Sequence, residues 1–371
     1  MNFLDEVNEG AAFFEQGLLP PHQNFLLIGH QAVEQKLLQD YQSGRMPHAL
    51  IFAGPEGVGK ATLAYRLARF LLAEGGEAED SLFGDAAPPT NLFVSADNPV
   101  SKRIASGGHA DFRAIQREFD EKKGRLKAGI SVDEVRKINP FLHRTAAEGG
   151  WRVVIIDGAE HLNRNSQNAI LKILEEPPPK TLLILVTNQP GGFLPTIRSR
   201  CRLYSFGSLE ASDVILLLEK AHPDMTRDEK NMLSGLSEGS VGYAMRLFDE
   251  GGAELYQQLF NHFKILPEMD WPKVHELSEK LGRTGAEQSY QTTMELFIYW
   301  LQRYIRFQGR GAEMPVIVQE ERHVMTHFMA HFPGQKMVQL WEDVAGIYQK
   351  TARHNLDRRQ AVLETFGKIA P

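Results

Sequence analysis

Cysteine is nearly missing from this chain of 371 residues, where Cys201 stands alone. One thiol excludes an internal disulfide framework and every multi-cysteine zinc or iron–sulfur site, and it fits a reducing compartment. Long apolar runs are missing too: none approaches the roughly 18 residues that a membrane-spanning helix needs. The opening MNFLDEVNEG is acidic where a signal peptide would be basic. Together these features set the expectation of a cytoplasmic protein without a membrane partner. Positive charge is not in excess either, with 41 Lys and Arg against 47 Asp and Glu, a net charge of -6 and an isoelectric point near 6.1. No global basic field is available for gripping a polyanion, so nucleic-acid contact has to come from local patches or from partners. No repeat with a period of about 20 to 50 residues is visible.

What is present is ample apolar content, 42% hydrophobic against 24% charged residues. A chain of this length can build substantial cores and is expected to divide into two or three domains. Residues 1–22 read as a lead-in, and the apolar run 25–28 is where regular structure is expected to begin. Between residues 46 and 207, short apolar runs at 49–53, 152–156 and 182–187 alternate with helical patterns at 62–73 and 166–176. That alternation predicts a parallel sheet covered on both faces by helices. The helix after the first strand carries Leu63, Leu67, Phe70 and Leu71 on one stripe and is expected to end at Gly75-Gly76. Residues 76–129, rich in Gly, Pro, Asp and Ser, read as an insertion on the α/β core. From Glu210 onward amphipathic helices dominate, with Phe297, Trp300, Leu301, Tyr304 and Ile305 on one stripe and Met337, Leu340, Trp341, Val344, Ile347 and Tyr348 on another.

Residues 54–60 read Gly54-Pro55-Glu56-Gly57-Val58-Gly59-Lys60, the pattern G-x-x-x-x-G-K between a predicted strand and a predicted helix. Glycines let such a loop fold its N–H groups around phosphates, the helix N-terminus adds positive potential, and Lys60 supplies a point charge. A plain glycine turn is the bland alternative. The next position, where a Ser or Thr hydroxyl would ligate Mg²⁺, is Ala61. Thr62 comes one residue late, and one residue turns a helical side chain by about 100°, so it is expected to point away. Weak ATP or ADP binding is therefore expected, with no cofactor required and no metal site.

A second strand ends in Asp157, where a metal-side aspartate would sit, although an aspartate there also suits a helix cap. The following residue, where a water-polarising glutamate belongs, is Gly158; Glu160 lies two positions further on, and a base has first to reach its water. The third strand ends in Thr187-Asn188, suited to sensing a γ-phosphate or to making a turn. Arg198, Arg200 and Arg202 fall within five residues, on their own a solvated face. Cys201 between them lacks a histidine partner and reads as a small packed residue, not a nucleophile. His109 and Asp111 are too few for a metal. His323, His327 and His331 share a helix face and read as solvated, with structural zinc or nickel as the alternative. Lys122, Lys123, Arg125 and Lys127 make a local basic run, an exposed loop or a sequence-independent phosphate contact.

Further segments give these motifs a context: Met46-Pro47-His48-Ala49 before the glycine loop, Asn168-Ala169-Ile170-Leu171-Lys172-Ile173-Leu174-Glu175-Glu176-Pro177 after the second strand, and Ser199-Arg200-Cys201. With them the chain resembles the clamp-loader branch of the AAA+ ATPases of bacterial DNA polymerase III. Gly239-Ser240-Val241-Gly242 is similar to that family's sensor 2 segment, and residues 355–360 to a helix of its collar; the resemblance spans about residues 25–366 and is strongest over 46–205. It implies an α/β AAA+ P-loop domain over 1–207, a small helical lid over 208–252 and an all-α oligomerising collar over 253–371.

The resemblance also implies that Arg200 is an arginine finger placed in the ATP site of a neighbouring subunit, where it would stabilise charge on the transferring phosphoryl group. Gly54, Gly57, Gly59, Lys60, Asp157, Thr187 and Asn188 would form the chain's own, degenerate nucleotide site. Three departures mark that site: Ala61 for the metal hydroxyl, Gly158 for the catalytic carboxylate and Gly242 for the sensor 2 arginine. Losing one preorganised catalytic donor can cost about 10²- to 10³-fold, so own hydrolysis is expected to be absent or very weak. Many members of the branch also carry a four-cysteine zinc module before Asp157, which this chain lacks. The implied role is a stator-like subunit of a cytoplasmic bacterial clamp loader, with gamma/tau motor subunits and a delta subunit as partners and with the sliding clamp and primer-template DNA met indirectly. A self-sufficient AAA+ motor and a AAA+ adaptor outside the clamp loader are the alternatives.

Overall fold

The computed structural model describes residues 19–77, 88–120, 125–148, 150–332 and 334–370. The chain divides into two compact units, one comprising Met1–Asp224 with Gly239–Gly242, the other Met225–Glu238 with Tyr243–Pro371. Among the described residues no helix is long and apolar enough to cross a membrane.

The first unit is built on strands β1 (Ala49–Ala53), β2 (Phe112–Ile115), β5 (Arg152–Asp157), β6 (Thr181–Thr187) and β7 (Arg202–Ser205). They form one sheet in the order β2-β5-β6-β1-β7, with every pairing parallel. β3 (Phe119–Asp120) and β4 (Arg125–Leu126) make a separate antiparallel hairpin. The interior strands are buried on both faces, which is why they read as unbroken apolar runs. Their side chains alternate between two cores. Leu50, Phe52, Val153, Ile155, Leu182 and Ile184 meet Leu63, Leu67, Phe70 and Leu71 of the helix Lys60–Glu77 on one face. Ile51, Val154, Ile156, Leu183 and Leu185 meet Ile170 and Ile173 of the helix Arg164–Glu175 on the other. Each fully buried Leu or Ile side chain is worth about 1.5–3 kcal/mol of transfer free energy, so the sheet rigidly fixes the loops at its strand ends.

Three expectations are corrected here. Phe25, Leu26, Leu27 and Ile28 are buried but take no regular structure, and among the described residues the first helix begins at Gln31. The helix expected to end at Gly75-Gly76 continues to Glu77. The stretch 76–129 is not purely an insertion, because Phe112–Ile115 within it is the edge strand β2. Only Ile115 of those four residues is fully buried, so an edge strand of this kind carries little apolar signal. Lys122 and Lys123 of the basic run lie outside the described residues.

The second unit is helical. Phe297, Trp300, Leu301 and Tyr304 are buried along the helix Glu287–Arg310, while Ile305 is half-buried. Trp300 stacks on Phe263 at a centroid distance of 4.0 Å and on Tyr304 at 5.9 Å. Of the second stripe, Met337, Leu340 and Val344 are buried and Trp341, Ile347 and Tyr348 half-buried. A buried ion pair sits in this core: Arg303 donates to Glu321 at 2.8 and 3.0 Å. The Glu321 carboxylate also accepts from Tyr256 at 2.9 Å and from the Ile317 amide at 2.7 Å, so both oxygens are satisfied, as a buried charge requires. His323 and His327 are exposed on the helix Glu321–His331, and the His331 side chain lies outside the described residues. Among the described residues no group of three or more His, Cys, Asp or Glu side chains is placed to hold a metal ion.

Candidate functional site

β1 runs out at Ala53 into the glycine loop, and the helix Lys60–Glu77 begins at the loop's lysine. Gly54 stays tied to the neighbouring strand, its N–H donating to Thr187 O at 3.3 Å. Gly57 and Gly59 take φ of +72° and +100°, left-handed backbone that other residues adopt only with strain. Lys60 is buried and donates to Gly54 O at 2.9 Å and Pro55 O at 2.5 Å. Burial pulls its pKa down, against the opposing fields of Glu160, Asp157 and Glu56. Above the loop lies a cavity of about 660 Å³ bordered by Leu27, Lys60, Asp157, Glu160, Asn188 and Gly242. Ala61 borders it too, and so does Thr62, which is buried.

Asp157 sits at the end of β5 and borders this cavity. Burial raises its pKa; Glu160 and Glu56 push the same way, while the Gly158 N–H bond and Lys60 oppose. Glu160 Oε2 and Asn188 Oδ1 are buried with no hydrogen-bond partner among the described residues. Thr187 Oγ1 accepts from the Gln189 amide at 3.0 Å, which is a turn contact, so of the Thr-Asn pair Asn188 alone keeps an uncommitted polar atom at the cavity.

Gly242, where the resemblance would place an arginine, is closed more firmly than a missing side chain would suggest. The Gly242 N–H donates to Gly57 O at 3.0 Å, and a Cβ on Gly242 would lie 2.9 Å from Gly57 Cα. Backbone rests on backbone there, with no room for a side chain. Lys60 and the loop amides suit phosphates, but the Ala61 methyl cannot ligate a metal and Gly158 cannot polarise a water. The residues fit a nucleotide's phosphates and do not fit metal-assisted hydrolysis.

Two residues at this site were missed in the sequence. His30 donates from Nε2 to Val58 O at 2.7 Å, bracing the glycine loop from 28 residues away, and packs edge-on against Phe206. Burial lowers its pKa, which favours the neutral ring. Gln167, buried on the helix Arg164–Glu175, donates to Leu162 O and Gly192 O at 3.1 and 3.3 Å and accepts from the Leu194 amide at 2.8 Å. It joins the segment after Asp157 to the segment that leads into the arginines. A glutamine within an apolar helical stripe was its only mark in the sequence.

The three arginines fall in different settings. Arg202 pairs with Asp40 at 2.9 Å and lies over the Tyr204 ring. Arg198, at the end of the short helix Pro195–Arg198, is exposed; its amide donates to Leu194 O at 3.2 Å, and its side chain makes no hydrogen bond or ion pair among the described residues. Arg200 is exposed, does not border the cavity of its own chain, and pairs with Glu175 at 3.2 Å. Cys201 packs against the core beside Ile197, and burial pushes its thiol up to about 12, so it anchors the turn as an inert neutral group. His109 and Asp111 serve a loop. The Asp111 carboxylate accepts from the Ala147 and Glu148 amides at 3.0 and 3.1 Å, and His109 Nδ1 accepts from the Asp111 amide at 3.2 Å.

A parallel sheet in which β6 separates the glycine-loop strand from the Asp157 strand, with helices on both faces and a helical second unit, defines a P-loop module of the AAA+ class. The model of the family described as DNA polymerase III, delta subunit, matches residues 29–210 of this chain. The chain is 29% identical over 316 residues to DNA polymerase III subunit delta' of Pseudomonas aeruginosa, covering 83% of this chain and 87% of the relative. It is 31% identical over 240 residues to subunit delta' of Escherichia coli, covering 64% and 65%. Subunit gamma of Buchnera aphidicola is 26% identical over 282 residues, covering 70% and 72%.

Proposed function

We propose that this chain is a stator-like clamp-loader subunit of DNA replication that supplies Arg200 in trans to the ATP site of a neighbouring motor subunit. The observation that carries the reading is an asymmetry. The chain's own cavity keeps Lys60 but has Ala61, Gly158 and a backbone-sealed Gly242 where chemistry needs side chains, whereas Arg200 stands exposed outside that cavity. A guanidinium delivered from next door stabilises charge on a phosphoryl group in flight without any catalytic group at home. The likeness to delta' and gamma subunits supports gamma/tau motors and a delta subunit as partners, with clamp and primer-template DNA reached through them in the bacterial cytoplasm. In this reading residues 1–207 form the AAA+ module, 208–252 the lid and 253–371 the collar. The own cavity binds ATP or ADP weakly at most and turns it over very slowly or not at all.

The test is reconstitution with motor and delta subunits and measurement of DNA-stimulated ATPase. Arg200→Ala is expected to leave assembly intact and to reduce turnover at the site it serves by about 10³-fold. An assembled mutant complex that hydrolyses ATP at full rate overturns the trans finger. Steady turnover by the isolated chain, abolished by Lys60→Ala, would mark a self-sufficient motor. Failure to join any polymerase III subunit would mark an adaptor.

A further inference from the structure

Arg200 is held on two sides within its own chain. Its Nη1 donates to Thr196 O at 3.1 Å, and its Nη2 lies 3.2 Å from Glu175 Oε1. Glu175 is the last residue of the helix Arg164–Glu175, where the negative end of the helix dipole works against a carboxylate. Its neighbour Glu176 is also exposed and makes no ion pair among the described residues, so the contact belongs to one of two adjacent glutamates. The helix beneath is fixed by buried Ile170, Ile173 and Leu174, which makes Glu175 a firm post beside a long, flexible side chain.

We propose that Glu175 is a positioning residue for Arg200, holding its guanidinium in one orientation before a neighbouring subunit presents a phosphate. The proposal rests on the trans-finger reading above. A guanidinium has five N–H donors, so two fixed contacts leave others free for phosphate oxygens. The Arg200 side chain remains 37% exposed and that of Glu175 52%. A pair this exposed is weak, so it does not retain Arg200 against a polyphosphate. It is strong enough to select one rotamer from the many an arginine samples, removing in advance part of the ordering entropy that phosphate contact would otherwise cost.

The experiment uses the full complex reconstituted with motor and delta subunits and reads kcat and KM for ATP separately. Glu175→Ala is expected to lower kcat about threefold to fivefold, the scale of a surface ion pair, with KM and assembly unchanged. Glu175→Asp, which keeps the charge, recovers part of the loss. In an Arg200→Ala background, Glu175→Ala costs nothing further, because the group it positions is gone. A Glu175→Ala complex with unchanged or raised kcat overturns the proposal and leaves the finger standing, as does an equal loss in both backgrounds. If Arg200→Ala itself turns over ATP normally, the finger reading falls and the positioning role with it.

Discussion

Asp157 is kept in a setting that disfavours its charged form. Burial raises its pKa above the ordinary 3.8, and Glu160 and Glu56 add repulsion that Lys60 only partly offsets. A carboxyl whose folded pKa exceeds its unfolded value binds protons more readily in the native state, so stability falls as pH rises through that interval and stays reduced above it. Asp157→Asn is therefore expected to raise the unfolding temperature at pH 7, with the gain shrinking as acid protonates the wild-type carboxyl. Thermal melts of both proteins across pH check this. An Asn variant less stable than wild type at pH 7 would mean that the attraction of Lys60 and the Gly158 N–H bond outweigh burial. The comparison also bears on function, because a carboxyl held at a cost to stability beside a cavity marks a candidate ligand site.

At the scale of elements, the glycine loop is shaped as much by what leans on it as by its own sequence. Gly242 meets Gly57 backbone to backbone, and a Cβ at 242 would lie 2.9 Å from Gly57 Cα. Neither atom belongs to a flexible side chain that could swing aside. Gly242→Ala is thus expected to cost about 1–3 kcal/mol in urea melts, the range for overpacking. Gly346→Ala is the control: it lies within the helix Gly334–His354 with nothing within 4 Å of an added Cβ, so it is expected to be neutral or stabilising. Equal stability of wild type and Gly242→Ala would show that the loop gives way freely. The same elements show what a sequence exposes. β1, β5 and β6 were legible because strands buried on both faces read as apolar runs, and the G-x-x-x-x-G-K loop because its spacing is local. β2 was not, since an edge strand buries little. His30 bracing Val58 and Gln167 bridging Leu162 to Leu194 were not, because their partners are adjacent only after folding. The seal at Gly242 was half legible: the missing arginine could be read, the backbone contact in its place could not.

Across the whole molecule, three histidines held below the ordinary imidazole range predict a loss of stability in acid. His30, His109 and His262 all have pKa values lowered from 6.5, with burial the leading cause in each. The fields facing them do not overturn that direction: Asp213 and Lys60 at His30, Glu148, Arg103 and Asp111 at His109, Asp270 and Lys273 at His262. Below about pH 6.5 the unfolded chain takes up protons that the folded chain resists, so stability is lost as pH falls through the unfolded value. Asp157 works in the opposite direction, so Asp157→Asn removes that opposing contribution from the histidine limb. His30 and His109 belong to the first compact unit and His262 to the second, so a chain that unfolds in two steps should show both transitions moving down between pH 7 and 5. Differential scanning calorimetry of Asp157→Asn across that interval measures it. His109→Asn, whose amide oxygen can still accept from the Asp111 N–H, is expected to flatten the first transition's acid slope and leave the second unchanged. Flat transitions in the parent, or an equal slope with and without His109, would place the acid response elsewhere.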